Sequence, residues 1–490
     1  IKSLGLRSVN QGAATTAGVS SDANGNLNIR GGRAANTVYF IDGQRVRGNA
    51  NLPPVDEFEQ IQILTGGVSA KFGDVIGGVV SLTSKGPANK FSGSISGESS
   101  YGLDPYGFLR INGNVSGPIL KKKVPEGEFA PTILGYRLNA QYQSNIDDDP
   151  PATDIFRVND ATLASLQANP TRFQDGITLN NSEFVTDEGV EVLDYQPNED
   201  RERIDVGAKL DAYLGAGIDV TLSGQYFDRT NRFTPNNQWR VFNTWRNPES
   251  EFSGYRGSFR FRQRLGDNQN DSIQGFIRNV SYTLQLGFDR DNLIRSDWEH
   301  RDNIFNYGYY GRFDFVSEPS FEQETIIGPD GTLQTIFNHA DYSTVLTGYT
   351  PGAELGINEV LSNYNPKDIN NINQVVMRNG ENLQDFTEVW GLHQNVGQLY
   401  NLNQRRQRDI YQFDASASFD IVPARNSDRS HNIQFGILYE ERVERQYSIA
   451  PRRLWITMRQ LANGHLGGLD TNTVVDRVIP PGGTDSVDIY

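Results

Sequence analysis

Residues 203–227, RIDVGAKLDAYLGAGIDVTLSGQYF, decide the fold. In the first half, Ile, Val, Ala and Leu occupy every second position, against Asp205, Lys209 and Asp211 on the other parity. The second half repeats this alternation after a break at residues 215–217. A period of two places apolar side chains on one face of a strand and polar side chains on the other. The stretch therefore predicts two long antiparallel strands joined by a tight turn.

The same alternation recurs along the chain, and the links between the predicted strands are short and long in turn. A soluble sheet with one wet face also alternates. Short turns at one end and long loops at the other, with strands longer than the usual five or six residues, are however typical of an outer-membrane barrel. The predicted strands are 91–101, 106–119, 132–146, 203–215, 217–229, 254–265, 273–290, 408–423 and 430–447. The predicted long loops are 147–202, 230–253, 291–407 and 448–490.

Composition narrows the class of protein further. The chain has 490 residues, no cysteine and a formal net charge of -15, and its mean hydropathy is -0.54. The sequence holds no apolar run of about eighteen residues, which excludes a helical membrane protein but not a barrel, whose strands need only ~10 alternating residues. The acidic balance argues against a nucleic-acid partner. No signal peptide opens the chain, so we expect either a cytoplasmic protein or a processed piece of a longer one.

The polar faces of the predicted strands need an explanation, because a soluble barrel fills its interior with apolar side chains. If the apolar faces contact lipid, the polar faces line a wet or plugged lumen. Residues 1–87 are compact and glycine-rich, with a strong hairpin signal at Asp42-Gly43. We therefore predict an all-β transmembrane barrel, antiparallel and partial in this chain, whose wall is residues 88–490. A small α+β N-terminal plug domain, residues 1–87, lies in its lumen; taken alone, those residues also fit a small soluble α+β domain.

Two stretches then match a known family. NIRGGRAANTVYFIDGQRV (28–46) and ILTGGVSAKFGDVIGGVVSLTSKGP (63–87) hold an Arg-Gly pair, a Y-x-I-D-G hairpin, a glycine-bounded loop and a GG-V strand in that order. This order resembles the plug domain of TonB-dependent outer-membrane receptors, most of all those of Bacteroidetes-type bacteria. The resemblance covers residues 1–447 well and the tail poorly.

The resemblance implies a barrel of about 22 strands in the outer membrane of a Gram-negative bacterium. It implies active import of a bulky nutrient, with the plug gating the lumen and the TonB complex pulling on a short N-terminal box. That box is missing here, and nine predicted strands cannot close a barrel without lipid-exposed edges. We therefore expect an N-terminal portion of a larger receptor. Expected partners are the TonB complex, outer-membrane lipid and, as a candidate, a surface lipoprotein.

Plug and wall carry charges that predict a lock between them. Charged hydrogen bonds from plug arginines to wall carboxylates would hold the plug and still break under force. Solvated surface charge is the alternative. The lock candidates are Arg30, Arg33, Arg45 and Arg47 in the plug, and Asp205, Asp211, Asp219, Asp414 and Asp420 in the wall.

Two loops carry candidate binding residues. By the resemblance, the plug loop after the hairpin faces incoming ligand through Arg47, Asn49 and Asn51. The loop 147–202 holds fourteen Asp and Glu against three Arg. A solvated acidic loop is the favoured interpretation, with no metal and no cofactor. The candidate ligands of a structural calcium are Asp147, Asp148 and Asp149, which lack the spacing of a known calcium loop.

No catalytic constellation stands out, so we predict that the protein is not an enzyme. The five histidines are scattered without the spacing of metal ligands. Two alternatives remain open for the function. One is a non-transporting outer-membrane platform for surface lipoproteins or for an assembly or secretion complex. The other is a soluble all-β carbohydrate enzyme or lectin.

Overall fold

A computed structural model gives the architecture of residues 8–490. The structure describes this range except for residues 23–24, 47–51, 70–71, 74, 76, 126–127, 129, 176, 238, 266–276, 307–308, 310, 353–395, 422–430, 464–468 and 484.

The N-terminal part forms a small α+β unit. Its sheet has four strands in the order β4-β3-β6-β5, with β3 and β6 parallel and the other pairs antiparallel. A separate two-stranded sheet pairs β1 with β2, and helix α1 starts at a capping box in which Ser8 and Gln11 exchange hydrogen bonds. The elements are α1 (Val9–Ala14), β1 (Val19–Ser21), β2 (Leu27–Ile29), β3 (Val38–Ile41), β4 (Gln44–Val46), β5 (Phe58–Leu64) and β6 (Val79–Ser84).

The plug has its own hydrophobic core, built from α1, both sheets and the loop before β5. Tyr39 lies in this core and donates a hydrogen bond to Asn10 Oδ1 at 3.0 Å; burial raises the pKa of Tyr39 to about 12. The glycine pair before β6 fits the same packing, because a Cβ on Gly78 would lie 2.3 Å from Ile29 Cδ1. The Gly-Gly of the sequence motif therefore lets β6 approach the second sheet.

The remaining long strands form one antiparallel sheet of nine strands in the order β21-β20-β17-β16-β15-β14-β9-β8-β7. All nine wall strands predicted from the sequence are confirmed, with ends shifted by up to six residues. The sheet starts with β7 at one edge and finishes with β21 at the other. The strands are β7 (Ser92–Ser99), β8 (Leu109–Lys121), β9 (Thr132–Asn145), β14 (Arg201–Gly215), β15 (Ile218–Arg232), β16 (Glu249–Leu265), β17 (Ile277–Ser296), β20 (Asn403–Ile421) and β21 (His431–Ile449).

Register places most of the exposed apolar side chains of the central wall strands on one face, whereas Phe227 and Ile410 are buried on the other. Leu222 lies opposite Phe259, Phe259 opposite Leu286 and Leu286 opposite Phe413. The side chains of all four are exposed. The other face carries most of the polar side chains and contacts the plug. The boundary predicted at residue 87 lies between β6 and β7 and stays a prediction.

The long links are partly folded. Residues 147–200 hold two small sheets and a helix, and they share a hydrophobic core of Val158, Leu166, Phe242 and Val396 with neighbouring loops. The link after β17 contains one long hairpin, whose strand β18 pairs at Ser317 with the backbone of Tyr490. The loop elements are β10 (Ile155–Val158), α2 (Asp160–Ala168), β11 (Thr171–Gln174), β12 (Ile177–Asn180), β13 (Val190–Leu193), α3 (Trp239–Phe242), β18 (Gly311–Ile327), β19 (Leu333–Pro351), α4 (Leu454–Asn463), β22 (Asp476–Val478) and β23 (Val487–Ile489).

Among the residues that the structure describes, no helix combines the length and the apolar character needed to cross a membrane.

Candidate functional site between plug and wall

The Asp42-Gly43 turn is the centre of the plug's contact with the wall. Both residues have positive φ, 49° and 90°, as the tightest hairpin turns require. One carboxylate oxygen of Asp42 accepts the backbone N–H of Ser84 at 2.9 Å, and the other accepts the Ser84 hydroxyl. The Asp42 side chain therefore joins the end of β3 to the end of β6.

Lys209 of wall strand β14 reaches this turn. Its ammonium donates to Ser84 Oγ at 2.7 Å and lies 3.5 Å from Asp42 Oδ2, with both charged side chains only 11% exposed. Arg260 of β16 donates to the Asp42 carbonyl oxygen at 3.3 Å. Two wall cations thus contact the end of the plug sheet: Lys209 contacts the Asp42 carboxylate, and Arg260 contacts the Asp42 backbone carbonyl.

A second ionic contact lies at the turn before β5. Arg137 of β9 donates to Glu57 Oε2 at 3.2 Å, and both side chains are 10% exposed. Beside it, Asn112 of β8 donates to Asp56 Oδ2 at 2.6 Å. The plug therefore offers two adjacent acidic side chains, Asp56 and Glu57, to two neighbouring wall strands.

Two further contacts bind plug carbonyl groups. Arg203 of β14 donates to the Leu52 carbonyl oxygen at 3.0 Å. Gln412 of β20 donates to the Arg45 carbonyl oxygen at 2.6 Å. A cavity of about 80 Å³ lies between plug and wall beside Lys209 and Arg137, enough space for a few water molecules. The interface is therefore polar, with water-sized space beside its charged contacts.

These contacts have the opposite polarity to the lock predicted from the sequence. The plug supplies carboxylates and carbonyls, and the wall supplies cations and amides. The predicted wall carboxylates contact other wall residues instead. Four of them accept hydrogen bonds from wall side chains: Asp205 from Arg203, Asp211 from Thr221, Asp219 from Arg262 and Arg264, and Asp420 from Asn279 and Asn432. Asp414 lies opposite Gln285 in the neighbouring strand.

The plug residues predicted to form the lock lie in different environments. Arg30 and Arg33 are exposed, and the Arg30 guanidinium packs on Gly66 of the plug itself. Arg45 is buried, 7% exposed, and its carbonyl meets Gln412. Arg47, Asn49 and Asn51 lie outside the described residues. A locking role for these arginines, and ligand contact by the 47–51 loop, stay predictions.

A carboxylate cluster lies where loop 147–200 leaves and rejoins the wall. Carboxylate oxygens of Asp147, Asp149 and Glu199 lie within 4.8 Å of one another and could hold a cation. Asp148, the other predicted calcium ligand, pairs with Arg201. The sequence missed Glu199 because it is distant along the chain, yet the pairing of Arg201 with Asn145 brings the two loop ends together. Calcium binding stays a prediction.

Burial dominates the electrostatics of this cluster. It raises the pKa of Glu199, and the nearby Asp149 and Asp147 raise it further, against a hydrogen bond from Thr234. It raises the pKa of Asp148 against the attraction of Arg201. The ionised form of Glu199 is therefore disfavoured in the folded loop.

Lowering the pH is expected to tighten the base of this loop. A carboxyl whose folded pKa is raised destabilises the fold when it is ionised, so the penalty present at about pH 7 is relieved as pH falls through the folded pKa. Limited proteolysis of the purified protein in EDTA should show the loop better protected at about pH 5. Glu199→Gln should reduce this difference, because only Asp148 then retains a raised pKa. Glu188→Gln, an exposed change in the same loop, should keep the full difference. An unchanged pH dependence in Glu199→Gln would contradict the assignment.

A buried polar network joins two of the long loops that connect the wall strands. Arg246 donates to both carboxylate oxygens of Asp297, at 3.0 and 3.2 Å, and the side chains are 5% and 0% exposed. The second oxygen of Asp297 also accepts the Tyr400 backbone N–H at 3.4 Å. Asn243, from the same loop as Arg246, accepts the Gly397 N–H at 2.7 Å. The β15–β16 loop is thus tied to the two ends of the β17–β20 loop, which no local sequence pattern indicated.

The fold and this interface define an architecture: a long-stranded antiparallel wall whose polar face contacts a separately folded α+β plug. Residues 1–79 match the family model described as TonB-dependent Receptor Plug Domain. The N-terminal unit is therefore similar to the plug domain of TonB-dependent receptors, a family of the Gram-negative outer membrane.

Two curated relatives are similar over short segments. The probable TonB-dependent siderophore receptor PirA of Acinetobacter baumannii is 29% identical over 145 residues, 26% of this chain and 18% of that protein. The ferric enterobactin receptor PirA of Pseudomonas aeruginosa is 32% identical over 104 residues, 17% of this chain and 14% of that protein. The matched part is less than a fifth of each relative. A Bacteroidetes-type origin stays a prediction.

Solved structures of the family are similar at low identity. The siderophore receptor PiuA of Acinetobacter baumannii has a TM-score of 0.35 at 12% identity, over 89% of this chain and 59% of that one. The alcaligin outer-membrane receptor FauA of Bordetella pertussis has a TM-score of 0.38 at 11% identity, over 91% and 55%.

Proposed function

We infer that this protein imports a bulky nutrient across the outer membrane and that the plug is the gate. The observation that carries this inference is the Lys209 contact with Asp42 and Ser84, which holds two plug strands through a single wall side chain. A gate must be closed at rest and must open under a finite force. Discrete polar contacts beside a small cavity suit that requirement better than a continuous apolar interface, which would have to separate as a whole.

The opening step follows from where these contacts lie. Lys209, Arg137 and Arg260 hold the plug sheet from one arc of the wall, strands β9 to β16. Force applied through the N-terminus by TonB would break these contacts one after another rather than together. Ligand bound above the plug would favour the state in which they are weakened, since a ligand shifts an equilibrium only by its differential affinity.

Ligand and partners are part of the same proposal. The two curated relatives are named as a siderophore receptor and a ferric enterobactin receptor, so ferric enterobactin is the first ligand to test. TonB would supply the force, outer-membrane lipid would contact the apolar face, and a surface lipoprotein is a further candidate partner. The proposal includes no catalytic step. The platform alternative is not favoured, because the relatives are named as receptors.

Uptake in cells without TonB tests the proposal. A strain that expresses the intact protein as its sole candidate receptor should accumulate radiolabelled ferric enterobactin or another bulky nutrient, and loss of TonB should abolish the accumulation. Binding to the cell surface should persist in the TonB-deficient strain, which serves as the internal control. A cellular role that survives without TonB would support the platform instead.

A further inference from the structure

Lysine is concentrated at one end of the first two wall strands. The chain has nine lysines, and four of them lie here: Lys90 just before β7, and Lys121, Lys122 and Lys123 where β8 ends. β7 and β8 are antiparallel, with Ser92 opposite Ser116. The start of β7 and the end of β8 therefore lie at the same end of the sheet, beside the short link to β9. We call these four residues the lysine patch.

The lysine patch is cationic and open to its surroundings. All four side chains are exposed. None of them forms an ion pair or a side-chain hydrogen bond with a residue that the structure describes. The link to β9 contributes Glu126 and Glu128, two acidic residues against four lysines. In a chain with a formal net charge of -15, a local excess of unpaired lysine is an exception.

The residues next to the lysine patch are apolar and equally exposed. Ile119 and Leu120 are 56% and 54% exposed, and Phe91 is 74% exposed. The register between β8 and β9 shifts at Leu120, and such a bulge redirects the side chains of a strand. The backbone of Phe91 packs closely on β8, since a Cβ on Gly117 would lie 3.2 Å from the Phe91 Cα. Both strands thus change from exposed apolar residues to lysine toward the same end.

This order suits the boundary between the hydrocarbon of a bilayer and its headgroups. A lysine at that depth lays its aliphatic stem along apolar surface and holds its ammonium at the level of the headgroups. Clusters of lysines beside a membrane attract anionic lipids. Short turns of outer-membrane barrels lie on the periplasmic side, and the lysine patch lies beside such a turn. The leaflet that it would meet is therefore the periplasmic one.

We propose that the lysine patch binds the phosphate of an anionic phospholipid in the periplasmic leaflet, with the acyl chains of that lipid against Phe91, Ile119 and Leu120. This inference rests on the proposed function, which places the apolar face of the wall in the outer membrane. The exposed apolar side chains favour a lipid over a soluble acidic partner, because a partner without acyl chains would leave them in water.

Native mass spectrometry of the intact protein in nonionic detergent tests the proposal, with phosphatidylglycerol and phosphatidylcholine as the added lipids. Wild type should retain phosphatidylglycerol in preference by about tenfold or more, since each lysine near the headgroups adds to the attraction. The combined change Lys121→Gln, Lys122→Gln and Lys123→Gln should abolish this preference. Arginine at the same three positions keeps the charge and should preserve it. Glu128→Gln, an exposed change in the same link, is the matched control and should also preserve it.

Equal retention of the two lipids by wild type, or an undiminished preference in the triple glutamine variant, would overturn the lysine patch as a lipid site. Cosedimentation with purified peptidoglycan is the second arm. Binding to that acidic polymer which the triple glutamine variant loses, while its lipid preference is unchanged, would assign the lysines to peptidoglycan instead. The assay contains no TonB and measures no import. A protein that fails in uptake but shows the lysine-dependent lipid preference would retain this site and lose only the proposed import.

Discussion

Lys209→Glu is expected to loosen the plug more than any other single change in the interface. The new carboxylate would face Asp42, 3.5 Å from the present ammonium position, and Asp211, 3.9 Å from it. Removing one partner of a buried ion pair costs about 3–5 kcal/mol, and most of that applies here because the Lys209 and Asp42 side chains are nearly buried. Cells that carry the variant should become sensitive to large antibiotics such as vancomycin. In the purified whole protein, protease should cleave the plug faster than in wild type.

Two comparisons make this result specific to the plug. Lys209→Met removes the charge without adding repulsion and should give a smaller effect of the same sign. Arg262→Glu reverses a charge that pairs with Asp219 inside the wall, so it should not release the plug. Wild-type antibiotic resistance and protease resistance in Lys209→Glu would show that Lys209 does not hold the plug.

Leu284→Arg should be strongly destabilising, because Leu284 lies on the apolar face of β17. The residue is exposed in the wall, with Phe261 and Ala415 as its cross-strand neighbours. An arginine on the lipid face of a barrel costs about 2–4 kcal/mol near the bilayer midplane. The free energy of unfolding from lipid vesicles in urea measures this cost.

Thr283→Arg is the matched control for that change. Thr283 precedes Leu284 and lies opposite Arg262 on the lumen parity, so the added arginine remains in a polar environment. We expect its effect on the free energy of unfolding to be well below that of Leu284→Arg. Equal costs at the two positions would contradict the assignment of faces.

The wall was largely predictable from the sequence, and the reason is visible in β17. Tyr282, Leu284, Leu286 and Phe288 alternate with Thr283, Gln285 and Asp289, and lipid on one side with a polar lumen on the other imposes that period. The strand runs on to Ser296, beyond the expected end at 290, because its outer end need not be apolar. The β18–β19 hairpin was missed because its alternation is incomplete: Glu318, Glu322 and Glu324 share one parity of β18 with Val316 and Ile326.

The contacts between plug and wall were less predictable. The alternation of apolar and polar residues shows which face of the sheet a side chain lies on, but not which plug residue it contacts. The sequence placed Lys209 and Asp205 in the lumen, but which plug residue meets them depends on how the plug is seated. Asp205 pairs with Arg203 within the wall, whereas Lys209 pairs with Asp42 of the plug. The Asp42-Gly43 turn itself was predicted correctly from its residues, since both must adopt positive φ. The cluster at Glu199 required knowing that β9 pairs with β14.

The apolar face of the wall is expected to contact lipid while the polar face holds the plug. The chain has no cysteine, so single spin labels at Leu222→Cys and Ser223→Cys report one face each without competing thiols. In lipid vesicles, the label at 222 should collide frequently with oxygen, which concentrates in the bilayer, and the label at 223 should be shielded from it. A label at 222 that is shielded from oxygen as strongly as the label at 223 would show that this face packs against protein, and would contradict the account.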